Sequence, residues 1–203
     1  MKILIMGRSG SGKTTLANYL SEKYGLKQLD SYTTRPMRVA NETGHTFITP
    51  DEAKTFTDRA TDTVINGYEY FSTKQQVNES DVYVIDPNGL VKLLKNMPET
   101  DFDIVYVRAD DNKRTNAAID RADDPKAESG VVEKRMSSED EQFTLFEEFI
   151  DEGQTSDDNP FKNVPIRSVR SFYNSMTDLH ELTDFGDRLV ESHRRKGNNT
   201  NES

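Results

Sequence analysis

Residues 7–14 read Gly-Arg-Ser-Gly-Ser-Gly-Lys-Thr, a complete G-x-x-x-x-G-K-[ST] run, and its two flanks restrict the fold more than any other feature of the chain. Before it, Lys2-Ile3-Leu4-Ile5-Met6 is short and apolar, as a buried strand should be. After it, Leu16, Tyr19, Leu20 and Tyr24 recur at helical spacing, and Gly25 stands where a helix C-terminus favours glycine. Strand, glycine-rich loop and helix in that order predict a phosphate cradle. Gly7, Gly10 and Gly12 permit backbone turns that aim successive N–H groups at phosphate oxygens, and the helix N-terminus adds partial positive charge. The residues at the phosphates would be Gly7, Arg8, Ser9, Gly10, Ser11, Gly12, Lys13, Thr14 and Thr15. Lys13 would reach the β- and γ-phosphates of a nucleoside triphosphate, and the Thr14 hydroxyl would hold Mg2+.

Composition narrows the rest. The 203 residues include 26 basic and 36 acidic ones, a net charge of −10, which argues against binding a nucleic-acid polymer, where phosphates must be neutralised. The chain has no cysteine, so disulfides, thiol chemistry and cysteine zinc sites are excluded, and three scattered histidines do not suggest a structural metal. No apolar run approaches a membrane span, and the strand at the N-terminus leaves no room for a signal peptide, so the expectation is a cytoplasmic protein without a membrane partner. Residues 193–203 (HRRKGNNTNES) lack apolar side chains and are expected to form a disordered tail.

Three strand-like runs, 2–6, 82–86 and 103–108, each precede a segment of helical periodicity, at 14–24, 90–97 and 111–122. This alternation predicts an α/β fold, a parallel sheet with helices on both faces. Val82-Tyr83-Val84-Ile85-Asp86 ends in a carboxylate that could face the phosphate loop and hold Mg2+ or its waters, although many buried strands end in Asp. About fifty residues before it are not βα-like. They carry alternating Thr, Tyr and Phe around Asn66-Gly67, a hairpin signal, and predict a small, mostly antiparallel insertion. Helices are expected over 131–150 and 176–190; the acidic, turn-rich stretch 151–165 has no assigned element.

A second cluster is Ser31-Tyr32-Thr33-Thr34-Arg35-Pro36-Met37-Arg38. Two arginines three apart suit a phosphate monoester, though on composition alone they read equally well as solvated loop residues, with Tyr70 as core. Together the phosphate loop, the 31–38 run, Gly67-Tyr-Glu-Tyr-Phe-Ser-Thr73 and Ile85-Asp86-x-x-Gly89 resemble guanylate kinase, in that family's order and near its spacing, over roughly residues 1–145. The resemblance implies a P-loop NTPase three-layer fold with core 1–30 and 80–192, an acceptor-binding insertion at about 31–79 and a lid at about 115–138. It implies ATP and Mg2+ as donor and cofactor, and a nucleoside monophosphate, GMP or dGMP first, as acceptor. Arg35, Arg38 and Tyr70 inherit the acceptor phosphate and Ser72 the base; Ser31 and Asp86 are further acceptor-binding residues, Asp86 as the second acid of a strand-end pair that also serves the metal. Arg121 and Arg135 resemble the lid arginines which, with Lys13, would neutralise the transferring phosphoryl group. The protein is expected to act as monomer or dimer.

The departures from the family are specific. Val84 stands in place of the first acid, the guanine-reading glutamate is missing near Thr61, leaving Asp62 as the substitute, and His45 or Phe47 replaces a tyrosine. The late strand ending in Asn-Asp is not recognisable between 160 and 174. A kinase for another nucleotide, or a phospho-ligand binding module without catalysis, are the alternatives.

Overall fold

The computed structural model describes residues 2–37, 40–65, 67–119, 125–152 and 158–199, without the side chains of 118, 125–136, 138, 152 and 196–199. In chain order the elements are β1 (Ile3–Met6), α1 (Lys13–Tyr24), β2 (Ser31–Thr33), β3 (His45–Phe47), α2 (Pro50–Ala53), β4 (Arg59–Ile65), β5 (Tyr68–Thr73) and α3 (Lys74–Glu79). They continue as β6 (Val82–Val84), α4 (Pro87–Asn96), β7 (Asp103–Arg108), α5 (Asp111–Ile119), α6 (Pro125–Glu152), β8 (Val169–Tyr173) and α7 (Leu179–Asn199).

The main sheet has the order β6-β1-β7-β8, with every pair parallel. Its central strands are apolar on both faces because helices cover both. Ile3 and Ile5 of β1 pack with Leu16 and Leu20 of α1 and Leu182, Leu189 and Val190 of α7. Leu4 and Met6 turn to the other side, against Leu90 and Leu93 of α4 and Phe143 and Phe146 of α6. Each such fully buried side chain contributes about 1.5–3 kcal/mol of transfer free energy. This is the α/β layering that the alternation of strands and helices predicts.

A second sheet runs β3-β2-β5-β4, parallel between β2 and β3 and antiparallel elsewhere. Its β4–β5 hairpin turns at Gly67, whose φ of 83° suits the Asn-Gly signal. Tyr32, Phe56 and Phe71 form a small aromatic core, with Tyr32 and Phe56 ring centroids 4.5 Å apart.

Several elements differ from the sequence expectations. The strand at 82 stops at Val84, because Asp86 caps the next helix. α6 begins at Pro125 rather than at 131, and so takes in part of the expected lid at about 115–138; proline suits a first helical turn. β8 was not legible: an edge strand with one neighbour, it buries none of its side chains fully. Helix α7 runs through residues 193–199, where composition predicts a loose tail. His193 holds it there, with Nδ1 3.0 Å from the Leu189 carbonyl and Nε2 3.1 Å from Asp103 on β7, while Arg194 lies over the Tyr24 ring.

Candidate functional site

The phosphate loop connects the C-terminal end of β1 to the first turn of α1, so local sequence alone places its amides at a helix N-terminus. Tertiary contacts then shape it. Gly10 has φ 81°, and a Cβ there would lie 2.0 Å from the Arg114 carbonyl oxygen of α5. Gly12 has φ 101°, and a Cβ there would lie 2.6 Å from Asn174 Nδ2. Only glycine fits either position. Asn174, buried at the end of β8, donates Nδ2–H to the Ser11 carbonyl at 2.9 Å and accepts from Met176 N–H through Oδ1.

Lys13 folds its Nζ back onto the Arg8 carbonyl at 2.9 Å, and Thr14 and Thr15 are exposed at the start of α1. Among the described residues no side chain caps the first turn of α1, and the buried Ser11 Oγ has no hydrogen-bond partner. Uncapped amides, an ammonium and exposed hydroxyls are a donor set that fits a polyphosphate with its Mg2+.

Helix α6 closes the loop from the side. Glu139 accepts from Ser9 N–H at 2.9 Å and from Ser9 Oγ at 2.6 Å. Arg8 pairs with Asp140 at 2.5 Å and with Glu147 at 2.9 Å, and also donates to Thr144 Oγ1. Burial alone would raise the Glu147 carboxyl, but hydrogen bonds from Arg8 and Tyr106 hold it below the usual range.

Asp86 is the N-cap of α4, its Oδ1 accepting Gly89 N–H at 2.8 Å. Though part of the residue reaches the surface, burial pushes its carboxyl up, against the opposing amides of Gly89, Asn88 and Asp86 itself; Glu139 adds a further upward push.

The second cluster is built by three adjacent strands. Arg35 is 6% exposed and bound end-on by Glu42, Nη1 to Oε2 at 2.9 Å and Nη2 to Oε1 at 2.5 Å. Its guanidinium also lies 5.0 Å from the Phe47 ring centroid and interacts with Tyr70. Ser31 Oγ and His45 Nδ1 are 2.9 Å apart across the β2–β3 pair, and the His45 and Tyr70 rings are 5.5 Å apart. Ser31, Arg35 and Tyr70, singled out in the sequence, thus share one neighbourhood, together with Glu42 and His45.

Ser72 is placed differently. It is fully buried, its Oγ 2.9 Å from Thr61 Oγ1, which is 3.0 Å from Tyr83 Oη. This interior hydroxyl trio occupies the position at which the resemblance placed a base contact. Asp62 is exposed and pairs with Lys92 of α4 at 3.0 Å. Arg38 and Arg121 lie outside the described residues, as does the side chain of Arg135 on α6. Asn174, Glu139 and Glu42 escaped the sequence reading. The Phe-Tyr-Asn ending of β8 was the one available signal for Asn174; the two glutamates stand in acidic stretches with nothing to distinguish them.

No protein-family profile matches the chain, and no curated protein does. Among solved structures, the chain is similar to guanylate kinase from Anaplasma phagocytophilum, with a TM-score of 0.55, 14% identity, and coverage of 97% of this chain and 85% of that one. It is also similar to an uncharacterized protein from Eubacterium ventriosum, with a TM-score of 0.47, 13% identity, and coverage of 95% and 99%. The first likeness makes the fold guanylate-kinase-like. Among the described residues no helix is long and apolar enough to cross a membrane.

Proposed function

We propose that the chain transfers the γ-phosphoryl group of ATP to a (deoxy)nucleoside monophosphate, with GMP and dGMP the first acceptors to test. The observation that carries the reading is the phosphate loop, whose glycines are pressed against Arg114 and Asn174 while its lysine, hydroxyls and helix-terminal amides remain grouped. The Arg35–Tyr70–Ser31 cluster on the second sheet is where the acceptor phosphate would sit, and it would have to displace Glu42, which takes both terminal nitrogens of Arg35. Base identity has weaker support, since Ser72 is interior and Asp62 is paired with Lys92.

In this reading Lys13 and the loop amides bind and orient the donor phosphates, and Thr14 and Asp86 would hold Mg2+. When bound, Mg2+ supplies charge neutralisation at the phosphates. Arg35 and Tyr70 hold the acceptor phosphate, which is already anionic at neutral pH and needs no general base. Arg121 and Arg135 would neutralise the developing charge and help to exclude water.

The test is ADP release with ATP·Mg2+ against a panel of ribo- and deoxynucleoside monophosphates, with Lys13→Ala as the blank. Turnover is expected in the wild type and lost in Lys13→Ala. Arg35→Ala should raise the acceptor KM about 10–100-fold, the worth of a charge-assisted bond, with ATP binding retained. Equal loss of both ligands in Arg35→Ala refutes separate sites. Turnover with another base moves the substrate and keeps the kinase. Silence across the panel with ATP still bound refutes the kinase reading and leaves a binding module.

A further inference from the structure

The phosphate loop is tied to helix α6 at two consecutive residues, by contacts of opposite character. At Arg8 the loop supplies the cation, and Asp140 and Glu147 neutralise it. At Ser9 the loop supplies N–H and O–H donors, and the Glu139 carboxylate takes both, at 2.9 and 2.6 Å. A carboxylate bridging a backbone amide and a hydroxyl is the arrangement a phosphoryl group would adopt on the same donors. Carboxylate and phosphoryl oxygens cannot share those two hydrogens, and the anions repel. Arg8 does not offset that repulsion, because its own charge is spent on Asp140 and Glu147.

Resting on the reading of the loop as the donor site, we propose that Glu139 is a built-in competitor for the donor phosphates: a polyphosphate on the loop expels Glu139 from Ser9 and thereby repositions helix α6. Residue 135 lies one helical turn before Glu139 on α6, so the same displacement would move the stretch of backbone that carries a proposed lid arginine. Donor occupancy and the lid helix are then coupled through one side chain, as a bistable contact biased by a ligand allows.

The experiment is an equilibrium titration of the full chain, wild type and Glu139→Gln, with ATP·Mg2+ and separately with inorganic tripolyphosphate. Glutamine keeps a carbonyl acceptor for Ser9 and removes the charge. Both probes should bind Glu139→Gln about tenfold more tightly, the difference between a charge-assisted and a neutral bond. Amide exchange over 137–147 should rise when ATP is added to the wild type and change less in the variant. Glu139→Ala, which keeps a good helix former, serves as a second variant with the same expectation. Equal or weaker binding by both variants, with the wild type still binding ATP, overturns the competitor role alone. Failure of wild type and variants alike to bind either probe overturns the donor-site reading, and this inference with it.

Discussion

Replacing Asp86 separates its role as a helix cap from its charge. Its Oδ1 accepts Gly89 N–H at 2.8 Å, with Pro87 at the first helical position. Asp86→Ala loses that cap, a cost of about 1 kcal/mol. For a domain of this size that is a fall in Tm of about 2–4 °C. Asp86→Asn keeps the cap, since asparagine is an equally good N-cap, and removes a charge the site disfavours. Burial holds the folded pKa above its ordinary value of 3.8, outweighing the N–H groups that favour the anion. The folded state therefore grips the proton more firmly than the unfolded chain. Stability contributed by the protonated group is present below the unfolded pKa and declines as pH rises through the folded one. Asparagine has no such decline. Asp86→Asn should match the wild type near pH 4 and equal or exceed it at pH 7, with Asp86→Ala below both at pH 7. Thermal unfolding by circular dichroism at pH 4, 5.5 and 7 measures this. Turnover measured on the same samples reads the chemistry separately: a metal role for Asp86 predicts lost activity in a stable Asp86→Asn. The reasoning is refuted if Asp86→Asn falls as far as Asp86→Ala at pH 7, or if its difference from wild type is independent of pH.

Two further substitutions test how the loop is held. Gly10→Ala places a Cβ 2.0 Å from the Arg114 carbonyl oxygen at φ 81°, so Tm should drop by roughly 5 °C or more and ATP binding should be lost; an unchanged Tm refutes the close approach of α5. Asn174→Ala leaves the Ser11 carbonyl without its buried donor, a cost of about 1–3 kcal/mol, and should raise the ATP KM while leaving acceptor binding in place. An unaltered ATP KM in a folded Asn174→Ala would show that the loop keeps its shape without β8.

The parts of the fold legible in the sequence are those encoded over a few neighbouring residues. The apolar run before Gly7, the periodicity of Leu16 and Leu20, and the Asn-Gly turn each fix a local backbone choice by side-chain burial or permitted φ. β8 carries no such pattern, because an edge strand half in solvent has no need of alternating apolar side chains. Ser72 shows the same limit on the site. Its neighbours in sequence suggested a ligand contact, yet pairing with β4 turns its hydroxyl inward to Thr61 and Tyr83.

By itself the sequence determined the strand–loop–helix that makes an anion cradle and the parallel, two-faced character of the sheet behind it, because both follow from periodicity and glycine conformation over short spans. Only the tertiary structure decided what presses on that cradle and what occupies Arg35. Glu42 meets Arg35 only seven residues away, whereas Asn174 reaches the loop across 163 residues and Glu139 across 130. Contacts at such separations are set by how the sheet and helices stack, and a polar side chain in an acidic stretch carries no local mark of the partner that packing brings to it.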